Sequence, residues 1–238
     1  MTEQTEQKSI AFFDIDRTAY KGFLLEPLAT RSAESNLISA DAFDGMKQIY
    51  GAYSKGELQY ETAVERILAT WARGLEGRTV EEVEKFTQNY LDNDGDNFYP
   101  YVGEIVEKIR DSHDIYFVTG EPQFVARMTA ERYGAQGFLA TEFETVDGVF
   151  TGNINSALSH RHHKRDAIEG LIATRQYEGS MAFGDSEGDI EMLEDVEYPI
   201  CVVPTPGLRE HAEARGWFIA DVPDEQISPH VDSIISQK

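Results

Sequence analysis

The chain is short of cysteine, of positive charge and of long apolar stretches. Its only cysteine among 238 residues, Cys201, stands in an apolar run and has no second cysteine to pair with, so an intramolecular disulfide is excluded. No apolar run approaches the roughly 20 residues that cross a bilayer, and the polar start MTEQTEQKS lacks the charged and then apolar pattern of a secretory signal. We therefore expect a cytoplasmic protein with no membrane partner.

Positive charge is scarce throughout. Asp and Glu number 43 against 21 Lys and Arg, which gives a formal net charge of −22. Nucleic-acid binding needs clustered cations that displace counterions, so this composition argues against a nucleic-acid partner. A similar excess of acid is typical of proteins from salt-loving organisms, in which concentrated salt screens the self-repulsion. We leave that origin open as a hypothesis.

Short apolar runs alternate with helical patterns along most of the chain. Runs typical of strands that are covered on both faces lie at 10–13, 115–118, 180–183, 200–203 and 217–219. Helical periodicity lies at 101–110, 123–133, 163–173, 189–193 and 208–215. Asp147-Gly148 between β-prone residues indicates a hairpin around 142–151. The alternation predicts a doubly wound, Rossmann-like α/β fold with a parallel sheet.

The segment from Lys21 to Asn97 interrupts this alternation. It holds no convincing strand, and its pattern predicts four helices, at 26–38, 41–53, 57–71 and 79–91. We therefore expect a helical cap at 21–97, inserted after the first strand, and an α/β catalytic core made of 1–20 and 98–238.

Paired carboxylates follow two of the predicted strands. Asp14 and Asp16, in FFDIDRT, point the same way in an extended segment, and they follow the carboxyl end of a strand, where open α/β sheets bind ligands. An isolated pair is more often an Asx turn or a cap, but GDSEGD adds Asp185 and Asp189 at the same edge. Four carboxylates there would repel one another without a cation, and Mg²⁺ suits oxygen ligands best. Alternatively, the negative charge of Asp189 only stabilises the N-terminus of a helix.

Two further groups suit a phosphate. In VTGEP, the Thr119 hydroxyl and the backbone N–H groups at the following helix start can hold a phosphoryl oxygen, although a plain cap with proline is the alternative. Lys164 opens the helix that precedes GDSEGD and can balance the negative charge. The run 160–165, HRHHKR, is interpreted as a solvated basic loop rather than a histidine metal site.

In this order, the motifs resemble the four signatures of the haloacid dehalogenase superfamily of phosphohydrolases. They are DIDRT, FVTG, Lys164 and GDSEGD, and the resemblance covers nearly the whole chain. The helical insertion and the tail ICVVPTPGLREHAEARGW look like the phosphoserine-phosphatase-like branch. The resemblance implies a phosphatase that hydrolyses a small phosphorylated metabolite through an aspartyl-phosphate. Asp14 would be the nucleophile and Asp16 the acid and then the base, while Thr119 would orient the phosphoryl group and Lys164 would offset its charge.

The resemblance also implies the ligands of the site. Asp14, Asp185 and the backbone carbonyl of Asp16 would bind Mg²⁺, with Asp189 in support. Apart from the resemblance, we expect the substrate to contact Arg17, Thr18, Thr119 and Gly120. A phosphotransferase or phosphomutase with the same intermediate, and a non-catalytic binding protein, are the alternatives.

Two departures from the family pattern limit the substrate. Arg17 stands where the family commonly has a small residue, and TGEP replaces the Ser-Gly-Gly run of a true phosphoserine phosphatase. L-phosphoserine is therefore one candidate among several. Arg17 either contacts an anionic group of the substrate or lies along the hinge of the cap.

If the acidic composition is an adaptation to salt, added salt should stabilise the protein. Screening of self-repulsion favours the compact state, and each kcal/mol gained raises the melting temperature of a chain of this length by about 3 °C. We expect a higher melting temperature in molar KCl than in dilute buffer, measured by circular dichroism. An unchanged melting temperature would count against the adaptation.

Overall fold

The structure is a computed structural model that describes residues 7–93, 97–158 and 161–236, without the side chains of residues 61 and 161–163. The described residues form one seven-stranded sheet in the order β4-β3-β2-β1-β5-β6-β7. The strands are β1 (Ser9–Phe13), β2 (His113–Pro122), β3 (Gly137–Val146), β4 (Val149–Ser156), β5 (Gln176–Gly184), β6 (Tyr198–Val202) and β7 (Phe218–Ala220). Neighbouring strands are parallel except β3 and β4.

Helices connect these strands and cover the sheet. Within the described residues they are α1 (Leu25–Glu34), α2 (Ala40–Ser54), α3 (Tyr60–Gly74), α4 (Val80–Asn93), α5 (Pro100–Ile109), α6 (Gln123–Tyr133), α7 (Arg161–Ile172), α8 (Ile190–Glu194), α9 (Pro206–Arg215) and α10 (Pro223–Ile235). Among these helices, none is long and apolar enough to span a membrane. The predicted doubly wound α/β fold is confirmed, and four helices follow β1 as expected.

The structure departs from the prediction in three places. Strand β3 begins at Gly137 and pairs in parallel with β2, whereas the sequence suggested only a hairpin further on. Helix α10 was not predicted, because Pro229 lies inside it and proline usually interrupts helices. The basic run predicted as a loop is helical from Arg161 onward; His160 and the side chains of residues 161–163 lie outside the described residues.

The hairpin between β3 and β4 follows from its turn residues. Asp147 and Gly148 both have a positive φ, 51° and 77°, which is the conformation of the tight turn that matches the twist of two antiparallel strands. The turn lets β4 fold back along β3 and reach the helical segment. There the N–H of Val80 donates to the carbonyl of Gly148 at 2.9 Å.

The centre of the core is aromatic and surrounds β1. Phe13 is fully buried, stacks on Phe183 of β5 with ring centroids 4.2 Å apart, and lies 5.7 Å from the ring of Phe117 in β2. Each of these rings precedes a loop at the carboxyl edge of the sheet. The packing therefore holds the ends of β1, β2 and β5 at fixed positions relative to one another.

The helical segment that follows β1 packs into the same apolar cluster as the sheet. Trp71 of α3 is 1% exposed and meets Phe124 and Phe143 edge to face, at centroid distances of 5.6 and 6.4 Å. The turn after α3 also exchanges backbone hydrogen bonds with the hairpin, from Gly77 N–H to the carbonyl of Phe150 and from Phe150 N–H to the carbonyl of Arg78, both 2.9 Å. This end of the segment is thus attached to the core by packing and by hydrogen bonds.

Replacing Trp71 by alanine should weaken the whole protein. Large aromatic-to-alanine changes in a core cost about 3–5 kcal/mol of unfolding free energy, because they leave a cavity. Tyr50→Ala in α2 is the matched control, since Tyr50 is 49% exposed and should change stability by less than about 0.5 kcal/mol. Urea unfolding followed by circular dichroism measures both. Equal small losses for the two variants would contradict the shared core.

Candidate active site

The carboxyl edge of the sheet gathers the acidic motifs as predicted. β1 lies between β2 and β5, so the residues that follow these three strands are neighbours. Asp14 continues β1, and its N–H donates to the carbonyl of Phe183 in β5 at 3.0 Å. Asp185 follows β5 directly, and Thr119 lies within β2 near its carboxyl end. Asp14, Asp185 and Thr119 are all buried.

The backbone turns sharply after Asp16. Arg17 has a φ of 58°, in the left-handed region that non-glycine residues rarely adopt, and its N–H donates to the carbonyl of Gly22 at 2.9 Å. The Asp16 carboxylate accepts the N–H of Leu24 at 2.8 Å. These bonds close the loop between β1 and α1. They also direct the Arg17 guanidinium back to the site, where Nη1 lies 3.3 Å from Oδ2 of Asp185.

Lys164 joins two of the acidic segments. It lies in the first turns of α7, is 7% exposed, and its Nζ lies 2.6 Å from Asp14 Oδ1 and 2.6 Å from Asp189 Oδ1. Burial opposes the charged form of the lysine, but Asp14 and Asp189 outweigh that effect and raise the pKa of Lys164. The ammonium group is therefore charged at any physiological pH, and the predicted balancing cation is present at the site.

Asp189 serves two structural purposes at once. Its second oxygen, Oδ2, accepts the N–H groups of Asp185 and Ser186 at 3.0 and 3.1 Å, which caps the short 3₁₀ turn Glu187–Asp189. Gly184 makes room for this arrangement, because a Cβ there would lie 2.5 Å from the Cβ of Asp189. Both oxygens of Asp189 thus have partners, and the capping role that the sequence left open coexists with the contact to Lys164.

Burial makes the carboxyl groups of Asp14 and Asp185 costly to ionise. Desolvation raises the pKa of Asp14 to about 7, although Lys164 opposes the rise. Desolvation, reinforced by Asp189 and Asp14, raises the pKa of Asp185 to about 9. Carboxylates in this state gain strongly from a nearby cation.

The donor set fits a hard divalent cation. Asp14, Asp185 and Asp189 offer carboxylate oxygens that all lie within 4.8 Å of one another. Asp16, Asp14, Asp185 and Asp189 carry four negative charges when ionised, and Lys164 and Arg17 carry two positive ones. A net charge of −2 remains, and a metal dication would neutralise it. Because Asp189 already has partners for both oxygens, Asp14 and Asp185 are the better placed direct ligands.

Glu121 belongs to the site and was missed as a site residue in the sequence. It stands near the end of β2, is 4% exposed, and its carboxyl hydrogen-bonds to Asp16 and accepts the N–H of Leu25. Burial raises the pKa of Glu121 well above its usual value, and the charge of Asp16 adds to the rise. Within the described residues, its Oε2 has no hydrogen-bond partner. The signal was available, because an acid at the end of a central strand is the same pattern that identified Asp14.

The remaining predicted residues differ in accessibility. Thr119 is 1% exposed and its Oγ1 accepts the N–H of Glu121 at 3.2 Å, so its own proton is free for another acceptor. Gly120 is partly exposed beside it. Thr18 is fully buried, and its Oγ1 has no hydrogen-bond partner in the described part of the chain. Arg17 is partly exposed as well, with 33% of its side chain accessible.

Comparison with curated proteins and with solved structures points to phosphatases. The chain is 28% identical over 218 residues to a phosphoserine phosphatase of Mycobacterium tuberculosis, a match that covers 89% of this chain and 70% of that protein. Its fold is similar to a protein of unknown function from Bordetella pertussis, with a TM-score of 0.74, 26% identity and coverage of 90% and 98% of the two chains. It is also similar to a substrate-bound phosphoserine phosphatase, with a TM-score of 0.64, 19% identity and coverage of 93% and 96%.

A separate match shows the family itself. The model of the haloacid dehalogenase-like hydrolases matches residues 11–194, which include Asp14, Thr119, Lys164 and Asp185. The resemblance noted in the sequence is confirmed. The chain belongs to the haloacid dehalogenase-like hydrolase family and is an enzyme of the phosphatase type.

Proposed function

We propose that this chain is a Mg²⁺-dependent phosphatase that hydrolyses a small phosphate monoester through a phosphorylated Asp14. The observation that carries the proposal is the buried Lys164 ammonium, 2.6 Å from both Asp14 and Asp189, with Asp185 at the same cluster. Lys164 favours the ionised form of Asp14 against the effect of burial and orients the carboxylate, and a nucleophile needs both. Bound at Asp14 and Asp185, Mg²⁺ would neutralise charge on the phosphoryl oxygens.

The first step is phosphoryl transfer to the enzyme. An oxygen of Asp14 attacks phosphorus, the bond between phosphorus and the leaving oxygen breaks, and Asp16 donates a proton to that oxygen. Lys164 and Arg17 contribute positive charge near the developing negative charge, and the hydroxyl of Thr119 donates to a phosphoryl oxygen. Such preorganised groups lower the barrier because they need no reorientation during the reaction.

The second step releases phosphate. Asp16, now ionised, accepts a proton from water while the water oxygen attacks phosphorus, and the bond to Asp14 breaks. Inorganic phosphate leaves, Asp14 is again a carboxylate, and Asp16 is again protonated. In such a two-step hydrolysis, one carboxyl acts first as the general acid and then as the general base.

Asp16 is suited to this exchange by its surroundings. Burial raises its pKa, while the hydrogen bonds from Leu24 and Glu121 oppose the rise. We propose that these two bonds hold Asp16 toward the leaving group. Its partner Glu121 remains protonated, since a pair of buried carboxyls in contact cannot both ionise cheaply.

We also propose that the helices between β1 and α5 act as a cap over this edge, as the division into 21–97 and the remaining chain suggested. Trp71, near the C-terminal end of α3, packs against Phe124 and Phe143, so closing motion would be confined to the opposite end of α3 and its turn to α2. Closing would exclude water from the phosphorylated enzyme.

Asp14→Asn should abolish hydrolysis. The variant keeps the size of the side chain but loses the attacking carboxylate, so phosphate release with Mg²⁺ should fall to less than about a thousandth of the wild-type rate. Asp44→Asn is the matched control, because Asp44 is an exposed acid paired with Lys47 in α2. A malachite-green assay over phosphate monoesters, with Mg²⁺ or with EDTA, measures each rate.

Three results of that assay would contradict the proposal. Retained activity in Asp14→Asn would remove the phosphorylated aspartate. Full activity in EDTA would remove the metal. Appearance of phosphate on an added alcohol instead of in solution would identify a phosphotransferase.

Glu121→Gln should change how the stability of the metal-free protein depends on pH. Above about pH 4.5 the unfolded chain ionises Glu121 while the folded chain keeps the proton, so wild-type stability falls as pH rises toward the folded pKa. Glutamine removes this loss, and the stability of the variant relative to wild type should rise from pH 5 to pH 8, by at most about 1.4 kcal/mol for each pH unit.

Urea unfolding in EDTA at several pH values measures this difference. Glu131→Gln, at an exposed site in α6, controls for the loss of one carboxyl and should follow the wild type. A constant difference between Glu121→Gln and wild type across the range would show that Glu121 is ionised in the folded protein.

A further inference from the structure

Two large aromatic side chains stand exposed beside the acidic cluster. They are Phe23, in the loop between Asp16 and α1, and Tyr60, the first residue of α3. Their exposed fractions are 53% and 52%, although aromatic side chains usually dominate the buried core. The rest of the site is polar, so these rings offer contacts that the chemistry at Asp14 does not need.

Phe23 is linked to the site through Arg17. The Cζ atom of Arg17 lies 5.9 Å from the centroid of the Phe23 ring, and Nη1 of the same guanidinium lies 3.3 Å from Asp185 Oδ2. One side chain thus touches both the ring and a proposed metal ligand. The left-handed backbone of Arg17 and its bond to Gly22 fix this loop. Phe23 therefore stands at the entrance to the cluster, with one face of its ring open to solvent or to a ligand.

Tyr60 approaches the cluster from the helical segment. Its ring packs against Tyr53 at a centroid distance of 6.0 Å and an interplanar angle of 61°, yet half of its surface is uncovered. Partial desolvation of its hydroxyl and the charges of Asp16, Asp14 and Asp185 raise the pKa of Tyr60. The phenol is therefore neutral and lies within the electrostatic reach of these three carboxyls. It can present a ring without adding negative charge to an already negative site.

The position of the two rings determines what they can contact. A leaving group that extends outward from a phosphoryl group at Asp14 can reach the loop of Phe23 and the start of α3. A flexible aliphatic leaving group would leave most of the surface of both rings exposed to water. A planar ring would cover apolar surface on each and gain stacking or edge-to-face contacts, which add to the burial of area. The guanidinium of Arg17 adds a favourable contact to an electron-rich ring.

We infer that the phosphate monoester hydrolysed here carries an aromatic ring on its leaving group, and that Phe23 and Tyr60 select it. This inference rests on the proposed function, since it places the phosphoryl group at Asp14. Phe23 and Tyr60 contact the leaving group, and they act on substrate choice rather than on the chemical step.

The test compares two substrates of equal intrinsic reactivity. 2-Phenylethyl phosphate and n-propyl phosphate both release a primary alcohol, and they differ in the ring. With Mg²⁺, wild-type kcat/KM should be at least about tenfold higher for the ring compound, and Phe23→Leu and Tyr60→Leu should each lower that ratio about two- to tenfold. Tyr60→Phe should retain most of the ratio, because the ring remains. Tyr50→Leu, another exposed tyrosine of the helical segment, should leave the ratio as in wild type.

A binding measurement separates this inference from the proposed function. Calorimetry with the two corresponding phosphonates, which cannot be hydrolysed, gives the ring preference without turnover. Release of phosphate from both esters at equal efficiency, or a preference that both leucine variants retain, would overturn the inference and leave the phosphatase intact. Release from neither ester, with phosphate released from other monoesters, would likewise overturn the inference and leave the phosphatase intact. Release from no monoester at all would overturn the phosphatase, and the phosphonate affinities would still decide for or against the ring.

Discussion

The site depends on one buried ammonium group. Lys164 lies 2.6 Å from carboxylate oxygens of both Asp14 and Asp189, and these three residues come from the end of β1, the start of α7 and the turn after β5. A buried charge without partners would cost several kcal/mol, and so would two buried carboxylates without a cation. Neither partner is therefore stable there alone. The interaction fixes the relative positions of the three segments and, with them, the direction of the nucleophile.

The balance of charge at the site differs from the strongly negative charge of the whole chain. The chain carries a formal charge of −22, yet the residues closest to the proposed phosphoryl position include Lys164 and Arg17. A substrate that bears negative charge is repelled by most of the surface at long range. At short range it meets cations with few competing counterions, because the site is buried and screening by salt is weak there. Binding is thus governed by contacts inside the site rather than by attraction from a distance.

The sequence was sufficient for most of the sheet and for most of the acidic cluster, but not for the parallel pairing of β3 with β2. Asp14 and Asp185 were predictable because each follows an apolar strand, and the ends of parallel strands lie at the same edge of the sheet. Lys164 was predictable because the cluster of acids needs a balancing positive charge. Glu121 follows the same pattern, an acid near the end of a strand, but its contact with Asp16 was not predictable, since it depends on the packing of β2 against the loop after β1. Phe23 and Tyr60 were likewise inaccessible to pattern reasoning, because each lies in a segment where an aromatic residue fits the helical core equally well. Their exposure is a property of the folded chain.

Arg17 illustrates how function limits stability at this edge. Its backbone has a φ of 58°, a conformation that glycine adopts without strain and that costs a side-chain-bearing residue on the order of 1 kcal/mol or more. Selection for folding stability alone would favour glycine at this position. Arginine at this position places a guanidinium beside Asp185 and Phe23, which glycine could not do. Stabilising substitutions at strained positions near the site should therefore be chosen with caution by anyone who engineers this enzyme.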